Sequence, residues 1–344
     1  MIIWKLEKLA TREERSAVLE QCDHLSKRGF DIHKLTIDPL RSGWATPILT
    51  DHFRSGCAPI EAIRYASELL ANRSKKAVLI EGIDLLKSEY SSEERRNLMR
   101  IYNDLSIPAA YNELTEKFLE INCIEPQAFR RFCEKLFNNL SRTIKLDLSE
   151  QYRSDRFETK FFKRYDCANP NIDFIGRLLL IKESDIAEIL VDKNQSYVQI
   201  DHAIIQEASG DGPDHIKEIA RFEHLNFISK KISNKLGRSL KSAIENGTLI
   251  LDVYTCFPIV PLAFILNSGL ATTLDQASEF IERYPITVSG GMNLARAPWN
   301  NPVLNSIISM HDIMLTKRAQ FGLVHGNGGL GYKQGLTLLR LATL

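Results

Sequence analysis

The sequence predicts an α/β fold, and three observations carry that expectation. Helix-then-strand units occur in both halves of the chain, a long charged helical stretch follows the first of them, and a glycine loop follows an apolar strand near the C-terminal end. The recurrence of the unit suggests a duplication.

In the first half, Ala17, Val18, Leu19 and Leu25 recur among charged residues. With Thr11 and Glu14 spaced as a capping box, they predict a helix over residues 11–28. An extended piece, 30–37, and a stretch containing Pro and Gly, 39–56, come next. Pro59 then opens a second helix, at a first-turn position where its missing N–H is not needed. That helix runs into a short buried strand, 77–80, ended by Gly82. From 87 to 170 the texture is helical and charged with scattered aromatics (Phe118, Phe129, Phe132, Phe137, Phe161, Phe162), which reads as an inserted helical subdomain.

Strand-like runs at 177–182 and 197–205 flank a short helix from Ser184, and the polar segment 209–213 is a loop. A helical stretch, 215–246, leads to a strand at 248–254, the tetrapeptide Thr255-Cys256-Phe257-Pro258 and a Leu/Ala/Ile-rich helix. The last unit is a strand at 286–288, a Gly-Gly turn, a helix at 301–317, a strand at 320–324 and the glycine loop 325–331. The expected division places one half at 1–190, with the insert inside it, and the other at 191–344.

Composition narrows the function. The chain has 344 residues with 44 Lys plus Arg against 43 Asp plus Glu, and a net charge of +1 lacks the attraction on which nucleic-acid binding depends. The longest apolar run, 257–266, is about half of a bilayer-spanning helix and holds two prolines. Residues 1–6 show no secretory pattern, so the cytoplasm is the expected compartment. The 6 cysteines lack the paired spacing of a zinc knuckle; no metal is expected, and in a reducing cytosol all are free thiols.

Three places can carry chemistry. The loop 325–331 contains Gly-x-Gly-x-x-Gly, but a dinucleotide site needs a helix, a strand and an acidic residue about 20 positions on. Only 13 residues follow Gly331. A phosphate loop fails as well, because Lys333 is not adjacent to Gly331 and Gln334 is neither Ser nor Thr. The loop can instead bring backbone N–H groups to a reacting carbonyl beside the titratable His325, or be a tight strand-to-strand turn with a surface histidine. Cys256 stands where a strand ends and a helix begins, and Cys57 lies just before the helix opened by Pro59. A thiol at a helix N-terminus feels the positive end of the dipole and is a candidate nucleophile; the alternative for each is a buried core cysteine.

The segments 252–258 (Asp-Val-Tyr-Thr-Cys-Phe-Pro), 287–301 and 322–329 (Gly-Leu-Val-His-Gly-Asn-Gly-Gly), in this order and spacing, resemble the C-terminal half of the thiolase superfamily. Within it they are most similar to acetyl-CoA acetyltransferase-like and sterol-carrier-protein-type thiolases. Segments 55–59 and 78–82 resemble the nucleophile loop and following strand of the N-terminal half. The resemblance implies a five-layered α/β/α/β/α sandwich of two similar halves with a helical loop-domain insert. It implies a lipid-metabolism acyltransferase, condensing or cleaving a coenzyme A thioester that is substrate rather than bound cofactor. A homodimer and a small partner subunit are further implications.

Carried over by position, the nucleophile falls on Cys57, the nearest thiol, with Gly56 and Ser55 as adjacent registers. The family's Gly-His-Pro falls on Arg296-Ala297-Pro298, so its activating histidine is absent. The second acid/base cysteine falls on His325, and Tyr254 replaces the His of the His-Asp-Cys-Phe loop that contains Cys256. Cys57, Cys256 and His325 are thus the implied catalytic groups, and Tyr254, Asn300, Asn327 and Gly328 the implied substrate contacts. Without the activating histidine, the alternative is a degenerate relative that binds acyl-CoA or a partner subunit without turnover.

Overall fold

The computed structural model describes residues 1–71, 74–102, 105–145, 156–186 and 196–343. Its strands are β1 (Ile2–Leu9), β2 (Asp31–Ile37), β3 (His52–Phe53), β4 (Lys76–Leu85), β5 (Asp173–Ile181), β6 (Ser196–Glu207), β7 (Leu249–Asp252), β8 (Phe321–Gly328) and β9 (Lys333–Thr343). Helices of the first half are α1 (Ala17–Lys27), α2 (Ala58–Ala71), α3 (Ser92–Leu98), α4 (Ile107–Ile121) and α5 (Pro126–Ile144). Those of the second are α6 (Ile216–Ile219), α7 (Glu223–Leu236), α8 (Leu240–Glu245), α9 (Ile259–Asn267), α10 (Leu274–Arg283) and α11 (Pro302–Lys317).

The strands join in the order β3-β2-β4-β5-β1-β6-β9-β8-β7. This continuous sheet contains one pattern twice. In the first half β2 runs parallel to β4, β4 antiparallel to β5 and β5 antiparallel to β1. In the second, β7 runs parallel to β8, β8 antiparallel to β9 and β9 antiparallel to β6. The halves are stitched by a single residue pair, Ile2 with Gln199, and then diverge. Helices α2 and α11 fill the space between them: α2 packs on β4 and on β6, α11 on β8 and on β5. Outside, α1 covers the first half, and α7 and α8 the second, which completes the α/β/α/β/α layers. The expected boundary at 190/191 lies outside the described residues.

Strand alternation explains how one sheet serves two layers. Ala77 and Leu79 face α1 and pack with Val18, Cys22 and Leu25, whereas Val78 and Ile80 face α2 and join the large central core. Three local expectations change. Strand β1 was not foreseen, because Lys5 and Glu7 interrupt its apolar side; Glu7 is buried against Arg177, 2.7 Å away, and accepts from the Val18 amide at 3.1 Å. Consequently α1 starts at Ala17 under Ser16, and Glu14 closes the preceding turn by accepting from the Ala10 and Thr11 amides. Residues 286–288 form no strand, since the Val288 and Ser289 amides donate to the Asp252 carboxylate instead of a neighbouring strand. The glycine loop is the strand-to-strand turn of the two readings, since the chain returns beyond it as β9, an 11-residue strand, but His325 is buried rather than at the surface.

Candidate active site

The first turn of α2, the loop 254–257 before α9 and the β8–β9 hairpin converge beside a cavity of about 470 Å³, roofed by the insert. Its lining includes Gly56, Tyr111, Tyr254, Cys256, Asn300 and Asn327. Ile101, Ile107 and Tyr111 come from the insert, so α4 and the segment before it form one wall.

The loop before α2 is tightly constrained. Ser55 holds φ 137, in the region few non-glycine residues occupy, and its hydroxyl accepts from the Cys57 amide at 3.1 Å. This twist sets which residue looks into the cavity. Cys57 is fully buried, and its Sγ lies 3.3 Å from the Lys333 carbonyl in the wall behind. Burial pushes its thiol well above the ordinary cysteine range. Gly56 faces the cavity instead. A Cβ there would stand 2.1 Å from the Asn327 carbonyl oxygen and 2.5 Å from the Tyr254 hydroxyl, so no side chain fits. The tyrosine oxygen thus occupies the space that a nucleophile's side chain would need. Among the described residues that hydroxyl has no hydrogen-bond partner, and burial raises its pKa.

Cys256 lines the cavity, with its Sγ 3.4 Å from the Tyr111 hydroxyl. Burial pushes its thiol up to about 12, so it is protonated at neutral pH and donates to the tyrosine. Tyr111 stacks on Phe257, ring centroids 4.2 Å apart, and donates to the Gly329 carbonyl at 2.9 Å. Tyr111 therefore ties the insert to the loop 254–257 and the hairpin at once.

His325 does not reach the cavity. Two residues before Asn327 on the same face of β8, it sits one step deeper, fully buried against Phe264. A directional chain connects it to the surface of the site. Gln334 Nε2 donates to Asn327 Oδ1 (2.6 Å) and to the Gly331 carbonyl (3.0 Å), so its Oε1 must accept from His325 Nε2–H at 2.7 Å. Asn327 Nδ2 then donates to the Tyr111 hydroxyl at 2.9 Å. Burial lowers the His325 pKa to about 4, which keeps the ring neutral, and Nδ1 is unpartnered among the described residues.

Asn300 also lines the cavity. Its Nδ2 donates to the Asp38 carbonyl (2.8 Å) and its amide to Asp84 Oδ2 (3.0 Å), which also accepts from Trp299 N and Asn301 Nδ2. Burial pushes the Asp84 carboxyl up to about 6. Gly328 is packed against Ser55, and its neighbour Gly329 lines the cavity. Sequence reasoning thus found the three converging loops. It did not single out Tyr111 or Gln334, whose signals were a tyrosine on the buried face of an amphipathic helix and a glutamine inside an apolar strand. No group of three or more His, Cys, Asp or Glu could hold a metal, and no helix is long and apolar enough to cross a membrane, among the described residues.

No family model and no curated protein matches the sequence. Solved structures do. The type 1 SCP2-thiolase-like protein of Mycobacterium smegmatis, described as monomeric, superposes with a TM-score of 0.68 at 17% identity, covering 98% of this chain and 76% of that one. The Ltp2–ChsH2(DUF35) aldolase gives 0.64 at 14% identity, covering 98% and 97%, and the Acat5 thiolase of Ascaris suum, solved with coenzyme A, gives 0.61 at 12%, covering 100% and 99%. With the paired halves, the central helices and the converging loops, these likenesses show that the chain has the thiolase fold.

Proposed function

We propose that the chain binds a coenzyme A thioester in this cavity without forming an acyl-enzyme. The carrying observation is Gly56: the residue of the nucleophile loop that faces the cavity has no side chain and no room for one, while the Cys57 thiol is spent on the Lys333 carbonyl. Acyl transfer through Cys57 would need this loop to rebuild. The structural neighbour solved with coenzyme A supports the ligand class. Helix α2 begins two residues after Gly56, so the partial positive charge of its N-terminal end lies close to the cavity wall and suits a ligand oxygen there.

A second reading, proton transfer during carbon–carbon bond cleavage of a thioester substrate, is favoured by Tyr254. Its hydroxyl is unpartnered among the described residues and protonated, and it stands where a nucleophile would. The neighbour described as an aldolase is consistent with it. That neighbour also has a second protein in its name, which supports a small partner subunit here; a homodimer, residence in the cytoplasm and a place in lipid metabolism belong to the same proposal.

Calorimetric titration with acetyl-CoA and a longer acyl-CoA, followed by intact-protein mass spectrometry, tests it. Binding without a mass increase is expected. An acyl group found on the Cys57 or Cys256 peptide would restore covalent transfer, and no heat with either ligand would remove the thioester site. For the second reading, Tyr254→Phe would retain binding and lose turnover.

A further inference from the structure

Two of the 6 cysteines line the cavity, Cys256 and Cys167. Cys22, Cys57 and Cys133 are buried away from it, and Cys123 is exposed. Cys167 stands where the insert returns to the sheet, in a segment fastened on both sides. The Asp166 carbonyl accepts from Asn293 Nδ2 at 2.6 Å, the Asn169 amide donates to the Met292 carbonyl at 3.0 Å, and the Ala168 amide donates to the Cys256 carbonyl at 2.7 Å. The last bond sets the two cysteine-bearing backbones side by side. Chains joined in this way lie about 5 Å apart, inside the roughly 4.4–6.8 Å between Cα atoms that a disulfide requires.

Neither thiol is held by a strong partner. Cys167 Sγ rests 3.7 Å from the Lys163 carbonyl and Cys256 Sγ 3.4 Å from the Tyr111 hydroxyl, weak sulfur contacts that rotation about one side-chain bond releases. Burial raises the Cys167 thiol above the ordinary cysteine range, and the charges of Asp166, Glu158 and Cys256 add to the rise. Both groups are therefore thiols, not thiolates, at neutral pH.

We infer that Cys167 and Cys256 are a reversible dithiol latch: a small-molecule disulfide such as oxidised glutathione converts them into an intramolecular disulfide that shuts the cavity. One thiol gives up its proton, and its sulfur attacks the small disulfide and expels a first thiolate, which takes that proton. The second thiol, deprotonated in turn, attacks the protein sulfur of the mixed disulfide and expels the other half as a second thiol. Two protein thiols are oxidised to one disulfide, and one small disulfide is reduced to two thiols. The bridge draws Cys256 off Tyr111, the residue that ties the insert to the loop 254–257 and the hairpin, and pins the returning insert along the cavity wall. The effect on binding rests on the thioester reading above.

Incubation with oxidised glutathione at pH 7 and pH 9, followed by digestion without reductant and peptide mapping, tests the bridge. A peptide pair joining Cys167 to Cys256 is expected, formed about tenfold faster for each pH unit because burial keeps both thiols protonated. Calorimetric titration then compares the reduced, oxidised and re-reduced chain. Oxidation is expected to weaken acetyl-CoA binding at least about tenfold, and dithiothreitol to restore it. Cys167→Ala, checked by thermal unfolding, should have the same affinity before and after the oxidant, which separates the latch from glutathione attached to the exposed Cys123. A wild-type chain whose two peptides join only after denaturation would overturn the latch and leave the thioester reading standing. Joined peptides with unchanged acetyl-CoA affinity would overturn the closure. If the reduced chain binds no acetyl-CoA, the thioester reading fails and the closure falls with it, while the mapped bridge still stands or falls on its own.

Discussion

The loop before α2 and the loop before α9 are both cysteine-containing and both border the cavity, yet they treat their thiols in opposite ways. Cys57 is turned into the wall and its loop presents Gly56; Cys256 is turned into the cavity and is held by Tyr111. The difference is set by backbone. Ser55 at φ 137 rotates the chain so that residue 56 faces inward, and Tyr254 then fills the space this leaves. The polar side chains beside Gly56 come instead from the C-terminal half, where Tyr254, Cys256 and Asn327 line one surface.

The most damaging way to disturb this contrast is Gly56→Ala. The added methyl would meet the Asn327 backbone oxygen as well as Tyr254, and backbone cannot swing aside as a flexible side chain can. A loss of about 3 kcal/mol or more, with loss of thioester binding, is expected from such overpacking. Calorimetric unfolding that shows an unchanged Tm would mean that the loop is open in solution and that the nucleophile position is free.

The two thiols should separate next by reactivity. Cys256 reaches the cavity but has a pKa near 12, so its iodoacetamide alkylation should rise about tenfold per pH unit between pH 8 and 10. Cys57 should remain unmodified until the chain unfolds. Cys57→Ala costs about 1 kcal/mol of packing and leaves ligand binding unchanged, whereas Cys256→Ala alters it. Peptide mapping that finds Cys57 labelled first would reverse the assignment of which loop serves the cavity.

What was legible beforehand follows the same division. The strand-to-helix passage at 254–258 and the glycine hairpin are local patterns, and short-range chemistry fixes them, so the sequence located both. Which of Ser55, Gly56 and Cys57 faces inward depends on one dihedral angle and on a tyrosine some 200 positions away, and no local pattern encodes that. Strand β1 was hidden for a related reason: Glu7 looks like a surface residue until Arg177, from β5, is beside it. The insert's aromatics were readable as packing groups, and Phe129, Phe132, Phe161 and Phe162 are all buried. Tyr111, on the same helical periodicity, could not be told apart from them before its hydroxyl met Gly329 and Asn327.

The smallest net effect in the wild type comes from two buried titratable groups that oppose one another behind the two halves of the site, Asp84 on β4 and His325 on β8. The Asp84 carboxyl is raised from 3.8 to about 6 by burial, so between those values the folded chain keeps a proton that the unfolded chain has released; stability from this group falls as pH rises through that window. His325 is lowered from 6.5 to about 4 by burial, so the unfolded chain takes up a proton that the folded chain refuses; its contribution is complete above 6.5 and is lost as pH falls through 4. Each amounts to roughly 3 kcal/mol at most, with opposite sign over nearly the same interval. The pair should flatten the wild-type stability curve between about pH 4 and 6. Asp84→Asn should leave His325 unopposed and make stability climb with pH, and His325→Gln should make it decline. Because every other carboxylate titrates alike in the three proteins, the difference between their denaturation curves isolates the two groups. Parallel curves for all three would mean that water reaches both residues, and that the polar wall behind the cavity is looser than its hydrogen bonds indicate.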